Sequence, residues 1–140
     1  MLSRFPGGGD ATAPGRPDDV DVEEVAARFL ASPWGRPWTR SSLRALTWEV
    51  LESGLGNGVG DPLLWAPHRV RRLLDPGLGG VEREAWDLNR TPELLRDLIR
   101  YGHGERGLRA ELTDASLQAV DRWAPAFLTA VSTWDDEATA

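Results

Sequence analysis

The chain has 140 residues, 16 basic and 22 acidic for a net charge of −6, with 41% apolar residues and no cysteine. That length supports one domain whose core needs neither disulfide nor metal. The missing thiols exclude disulfide frameworks, thiolate zinc sites, iron–sulfur clusters and cysteine nucleophiles. Every basic side chain is arginine, which we attribute to codon usage in a GC-rich genome. Charge is uneven: 3 Arg against 6 acids over residues 1–31, 12 against 10 over 32–109, and 1 against 6 over 110–140. A mildly basic middle between acidic ends argues against broad contact with a nucleic-acid backbone. No apolar run reaches bilayer-crossing length and the first residues lack an apolar signal core, so a cytoplasmic protein without membrane contact is expected.

Residues 1–17 combine Gly, Pro, Ala and Thr with few apolar groups and read as a disordered leader. A helix is expected to start near Asp18–Asp21, where carboxylates suit the positive helix end. Val22, Val25, Ala26, Phe29 and Leu30 form its apolar stripe. "SPWGRPW" (32–38) breaks it with two prolines and a glycine. A second helix, capped by Thr39 or Ser41, sets Leu43, Leu46, Val50 and Leu51 inward and stops at Gly54.

"GLGNGVG" (54–60) follows a helix rather than a strand, and its G-x-G-x-G-x-G spacing misses the dinucleotide fingerprint. A P-loop needs a lysine that this chain lacks, and Asp61 would repel an incoming phosphate. The run reads as a helix stop and a mobile link. A third helix is expected from Pro67 to about Asp75, with Val70, Leu73 and Leu74 inward and His68, Arg69, Arg71 and Arg72 adding positive charge. "DPGLGG" (75–80) stops it, and 81–90 has room for a helical turn or two. "TPELLRDLIRYG" (91–102) is a fourth helix with Thr91 as cap, Pro92 at the first position and Gly102 as the stop. His103 then reads as an exposed loop residue. The last helix is expected over Thr113–Thr133, kinked at Pro125, with Leu117, Val120, Ala124, Phe127, Leu128 and Val131 as its stripe. Residues 135–140 read as an acidic tail. Strand alternation and internal repeats are absent. The expected architecture is all-α, one compact bundle of four to six short helices over residues 18–134.

Constellations for chemistry are missing. The two histidines, His68 and His103, lack metal-ligand spacing, and no serine stands in a nucleophile-elbow or triad-like context. No cofactor, metal or catalytic residue is expected. The tryptophan count is the unusual feature: seven, at 34, 38, 48, 65, 86, 123 and 134. Trp48 and Trp123 lie beside apolar stripes and read as core. Trp34 and Trp38, in the Pro/Gly-rich link, are the candidates for a partner surface. With Arg69 and Arg72 they make the candidate contact set for a partner or an anion.

Trp65-Ala66-Pro67 with Val70 and Leu73 resembles a W-S-P-x-x-V helix start. Pro92, Leu95 and Arg96 leading to Ile99-Arg100-Tyr101, then Arg106-Gly107-Leu108, Ala119-Val120-Asp121 and Pro125 with Phe127, continue in matching order. Together these resemble an uncharacterised helical module of high-GC Gram-positive bacteria, the helical domain associated with plasmid ORF-three-like proteins. Ala66 replaces the serine of that pattern, and 76–90 lacks its tryptophan–leucine–proline stretch. The resemblance spans residues 20–131; its motifs cap and pack helices, so it implies no catalytic residue. The function expected is a non-catalytic helical module that binds a protein partner or a second copy of itself. The alternative is a small-molecule or anion-binding domain with Arg69, Arg72, Arg100 or Arg106 around a Trp-lined pocket. A nucleic-acid regulator acting through "HRVRR" ranks third.

Overall fold

The computed structural model describes residues 21–53, 61–78 and 87–139, with side chains to residue 134. The expected leader, the glycine run and residues 79–86 lie outside the described residues. Five α-helices are present: α1 (Val22–Ala31), α2 (Ser41–Ser53), α3 (Pro67–Leu74), α4 (Thr91–Glu105) and α5 (Ala110–Thr139). Single 3-10 turns occupy Pro33–Trp38, Pro76–Leu78 and Leu88–Arg90, and no strand occurs among the described residues. The all-α bundle follows from the apolar spacing along each segment.

Asp21 caps α1 in an extended conformation, its carboxylate accepting from Glu24 N–H at 3.2 Å. Glu23 and Glu24 then complement the helix dipole. Val22, Ala26 and Phe29 are buried, and the Phe29 ring meets the edge of Tyr101 with centroids 5.4 Å apart. Ser32 ends the helix and starts the next turn, its hydroxyl donating to Phe29 O and accepting from Gly35 N–H. Gly35 is required there, because a Cβ would collide with the backbone of Phe29 and Leu30. The link "SPWGRPW" is therefore a tightly packed 3-10 turn.

All the expected inward residues of α2 and α3 are buried: Leu43, Leu46, Val50 and Leu51, then Val70, Leu73 and Leu74. α4 supplies the centre of the core with Leu94, Leu95, Leu98 and Ile99, none of which reaches solvent. α3 and α4 both pack on α5, α1 pairs with α2, and α2 reaches across to α4. Burial of each such side chain contributes about 1.5–3 kcal/mol, so this core supplies most of the favourable folding energy.

Four boundary and burial expectations are corrected. Thr91 is the first residue of α4 rather than its cap, and its hydroxyl is buried without a partner. Gly102 does not stop α4, which continues to Glu105. The stop is Gly107, at φ 67°, with Gly107 N–H donating to Gly104 O and Leu108 N–H to His103 O, a Schellman termination. Gly102 is instead a packing glycine. A Cβ there would lie 3.0 Å from Leu63 Cα and carbonyl carbon, and nearer still to the carbonyl oxygen. α5 runs past both expected ends, through Pro125 and to Thr139. Val120, Ala124, Phe127 and Val131 line its inner face, but Leu128, one residue after Phe127, points to solvent at 41% exposure.

Candidate functional site

A polar network is built on the segment from Asp61 to Ala66, which leads into α3. Asp61 begins it as a turn, its carboxylate accepting from Leu63 N–H at 2.9 Å. The same carboxylate is clasped by Arg106 from the end of α4, Nε to Oδ2 at 2.6 Å and Nη2 to Oδ1 at 3.1 Å. Burial alone would raise the Asp61 carboxyl. The Arg106 and Leu63 hydrogen bonds, with the charges of Arg106 and Arg69, outweigh that and hold it below its ordinary value. Arg106 is correspondingly held above its own.

Trp65 is buried and both of its backbone polar groups are bound. Its N–H donates to His103 Nε2 at 3.1 Å, and its carbonyl accepts from Ser116 Oγ on α5. Because a backbone N–H can only donate, Nε2 of His103 is the acceptor and the ring proton resides on Nδ1. Nδ1–H then donates to Thr113 Oγ1, with Nδ1 and Oγ1 3.0 Å apart. His103 therefore cannot serve as a base toward Thr113, and the pair is structural. The ring is 2% exposed, and burial pushes its pKa below the ordinary value. This corrects the reading of His103 as an exposed loop residue. It lies four residues after Ile99 on the inward stripe of α4, a signal hidden by the assumption that Gly102 ends the helix.

The four sequence-derived contact residues occupy different settings. Trp38 is corrected from surface candidate to core: it is 0% exposed, its Nε1–H donates to Asp97 Oδ2 at 2.8 Å, and the Arg90 guanidinium lies 4.7 Å from its ring centroid. Trp34 is exposed at 43%, with the Arg100 guanidinium 5.8 Å from its ring centroid. Arg69 folds back from α3 onto Trp65, its Cζ 3.8 Å from the ring centroid. Its Nη1 donates to the carbonyls of Asp61 and Leu64. Arg72 is exposed and takes part in no ion pair among the described residues. Arg100 and Arg106 are engaged with Asp97 and Asp61.

Trp48 is a second correction, at 40% exposure rather than core. It falls two residues from both Leu46 and Val50, about 200° around the helix, and so faces away from them. Arg44 and Trp48, four apart on the outer face of α2, and Arg40, the residue before its first turn and four before Arg44, are all exposed. Arg36, in the preceding turn, is also exposed. None of the three arginines forms an ion pair among the described residues, although six other arginines do. Trp123, in contrast, packs half-buried against the core.

Among the described residues no group of three or more His, Asp or Glu side chains is placed to hold a metal, and no helix is long and apolar enough to cross a membrane. Comparison of the chain with protein-family models, curated proteins and solved structures finds no match.

Proposed function

We propose that this chain is a non-catalytic, cytoplasmic interaction module that docks an acidic protein partner on the outer face of α2 and the 3-10 turn before it. One observation carries this reading: Trp34, in the same 3-10 turn as Arg36, and Trp48, four residues after Arg44 on α2, are exposed, and Arg36, Arg40 and Arg44 have no ion pair among the described residues. Tryptophan and arginine dominate binding hot spots, because a large rigid ring and a planar donor fork gain most from being covered. Leaving three arginines unneutralised in a chain of net charge −6 favours a partner that brings carboxylates. The resemblance to a bacterial helical module without catalytic residues belongs to the same proposal.

The nucleic-acid reading through residues 68–72 loses support from the geometry. Arg69 is folded inward and Arg71 pairs with Asp75 at 3.4 Å, which leaves His68 and Arg72 exposed at that surface. The docking reading is tested by co-purification from the native cytosol with R40E/R44E/W48A as the comparison. A partner retained by the wild type at low salt and lost by the variant, at equal helicity, is expected. A strict monomer retaining nothing, or equal retention by both proteins, counts against it. Self-association through the same face would appear as a concentration-dependent dimer that the variant cannot form.

A further inference from the structure

The polar atoms around Trp65 do not balance. Arg69 Nη1 is doubly used by the carbonyls of Asp61 and Leu64, but Nε–H and Nη2–H are shut away from solvent without an acceptor. The Nε1–H of Trp65, whose ring centroid lies 3.8 Å from Arg69 Cζ, is also buried and unpartnered. The Nε/Nη2 edge of a guanidinium presents two parallel N–H bonds, which match two oxygens of a carboxylate or phosphate group. Buried donors left without acceptors are costly, and a cation without a counter-ion is costlier.

The nearest carboxylate cannot fill the gap. Both oxygens of Asp61 are committed to Arg106 and to Leu63 N–H. His103 contributes no charge in its neutral form. Arg72 adds positive potential from the same helix, opposing the charge on Arg69. Burial, with Arg72 and against the pull of Asp61, brings the Arg69 guanidinium down to about 10, still protonated at neutral pH. The surroundings of Trp65 therefore hold a cation with one buried edge and three unused donor atoms.

We propose that the Nε/Nη2 edge of Arg69 and the Nε1–H of Trp65 form a site for a small oxyanion, a carboxylate or a phosphate group, enclosed where the Asp61–Ala66 segment enters α3. The role of each residue is distinct. Arg69 supplies the charge and the two-pronged contact. Trp65 supplies a ring face that holds the guanidinium and a further donor to the same anion. The clasp of Arg106 on Asp61 keeps the chain's own carboxylate out. This site is separate from the docking face on α2, and either can exist without the other.

The test is a titration of the 15N-labelled full chain with sodium acetate, sodium phosphate or sodium chloride at matched ionic strength. The Trp65 indole N–H and Arg69 Nε–H resonances are identified by their loss in W65F and R69K. Acetate or phosphate should shift both resonances saturably while the other indoles stay in place. Response to one salt alone identifies the group that binds. W65F should bind several-fold more weakly and R69K about tenfold or more weakly, since lysine lacks the paired donors. A wild-type spectrum whose two resonances follow chloride as closely as acetate and phosphate overturns the site, whether or not the variants fold. W34A/W48A should titrate like wild type, which separates this result from failure of the docking face.

Discussion

Replacing Gly102 and Gly104 by alanine, one at a time, tests how the Asp61–Ala66 segment lies across α4. Both glycines are helical, and alanine in place of glycine stabilises a helix interior by about 1 kcal/mol. At Gly104 an added Cβ meets nothing within 4 Å, so that gain should appear undiminished. At Gly102 the Cβ would press on the backbone of Leu63, which cannot turn aside as a side-chain tip could. Leu63 is pinned by Asp61 on one side and the bound backbone of Trp65 on the other. Overpacking of this kind costs roughly 1–3 kcal/mol, and here the backbone identity of the neighbour places it toward the upper end. G102A should lose about 1–2 kcal/mol net and G104A should gain about 0.5–1, a separation of several degrees in melting temperature. Thermal melts followed by far-UV circular dichroism, with urea midpoints beside them, read both values. Wild-type stability or better in G102A would refute the placement of Leu63 against α4. A G104A protein weaker than wild type would show that α4 ends where its sequence suggests, at Gly102.

Three further outcomes follow from the same contacts. His103 is buried neutral with its pKa lowered, so the stability it confers is complete above its unfolded value near 6.5 and falls as pH drops below that, down to the folded value. H103Q should flatten this part of the urea-midpoint profile, whereas an unchanged profile assigns the pH dependence elsewhere. Asp21→Ala should cost about 1 kcal/mol through the lost α1 cap, read as a shift in urea midpoint without a change in slope. W38F should cost more than W48F, since it removes the indole donor of a fully buried ring from the partly buried Asp97 carboxylate, while the half-exposed Trp48 has no hydrogen-bond partner among the described residues.

The helical segments and the inward faces of α2 and α3 were legible because each stripe repeats at the helical period: Leu43, Leu46 and Val50, or Val70, Leu73 and Leu74, needed no tertiary knowledge. Trp48 was legible too, once its angle from Leu46 is taken seriously. Trp38 was not, because a Pro-flanked 3-10 turn has no period long enough to show a face, and only the approach of Asp97 from α4 decides its burial. Gly102 carries two meanings in one letter, chain reversal or close approach, and the choice depends on a segment 39 residues earlier. The Trp65–Arg69 pair was half visible. The two residues flank the expected helix start at Pro67, but the orphaned donor edge depends on which carbonyls Nη1 reaches.

The docking face is tested most directly by photo-crosslinking in the native cytosol, with a photoreactive aromatic residue placed at position 34, 48 or 128. Position 128 is an exposed apolar site on α5 and serves as the comparison. A discrete adduct with one acidic protein from positions 34 and 48, absent from position 128 and weakened by salt, is expected. Adducts of equal strength from all three positions, or none from 34 and 48, would contradict it.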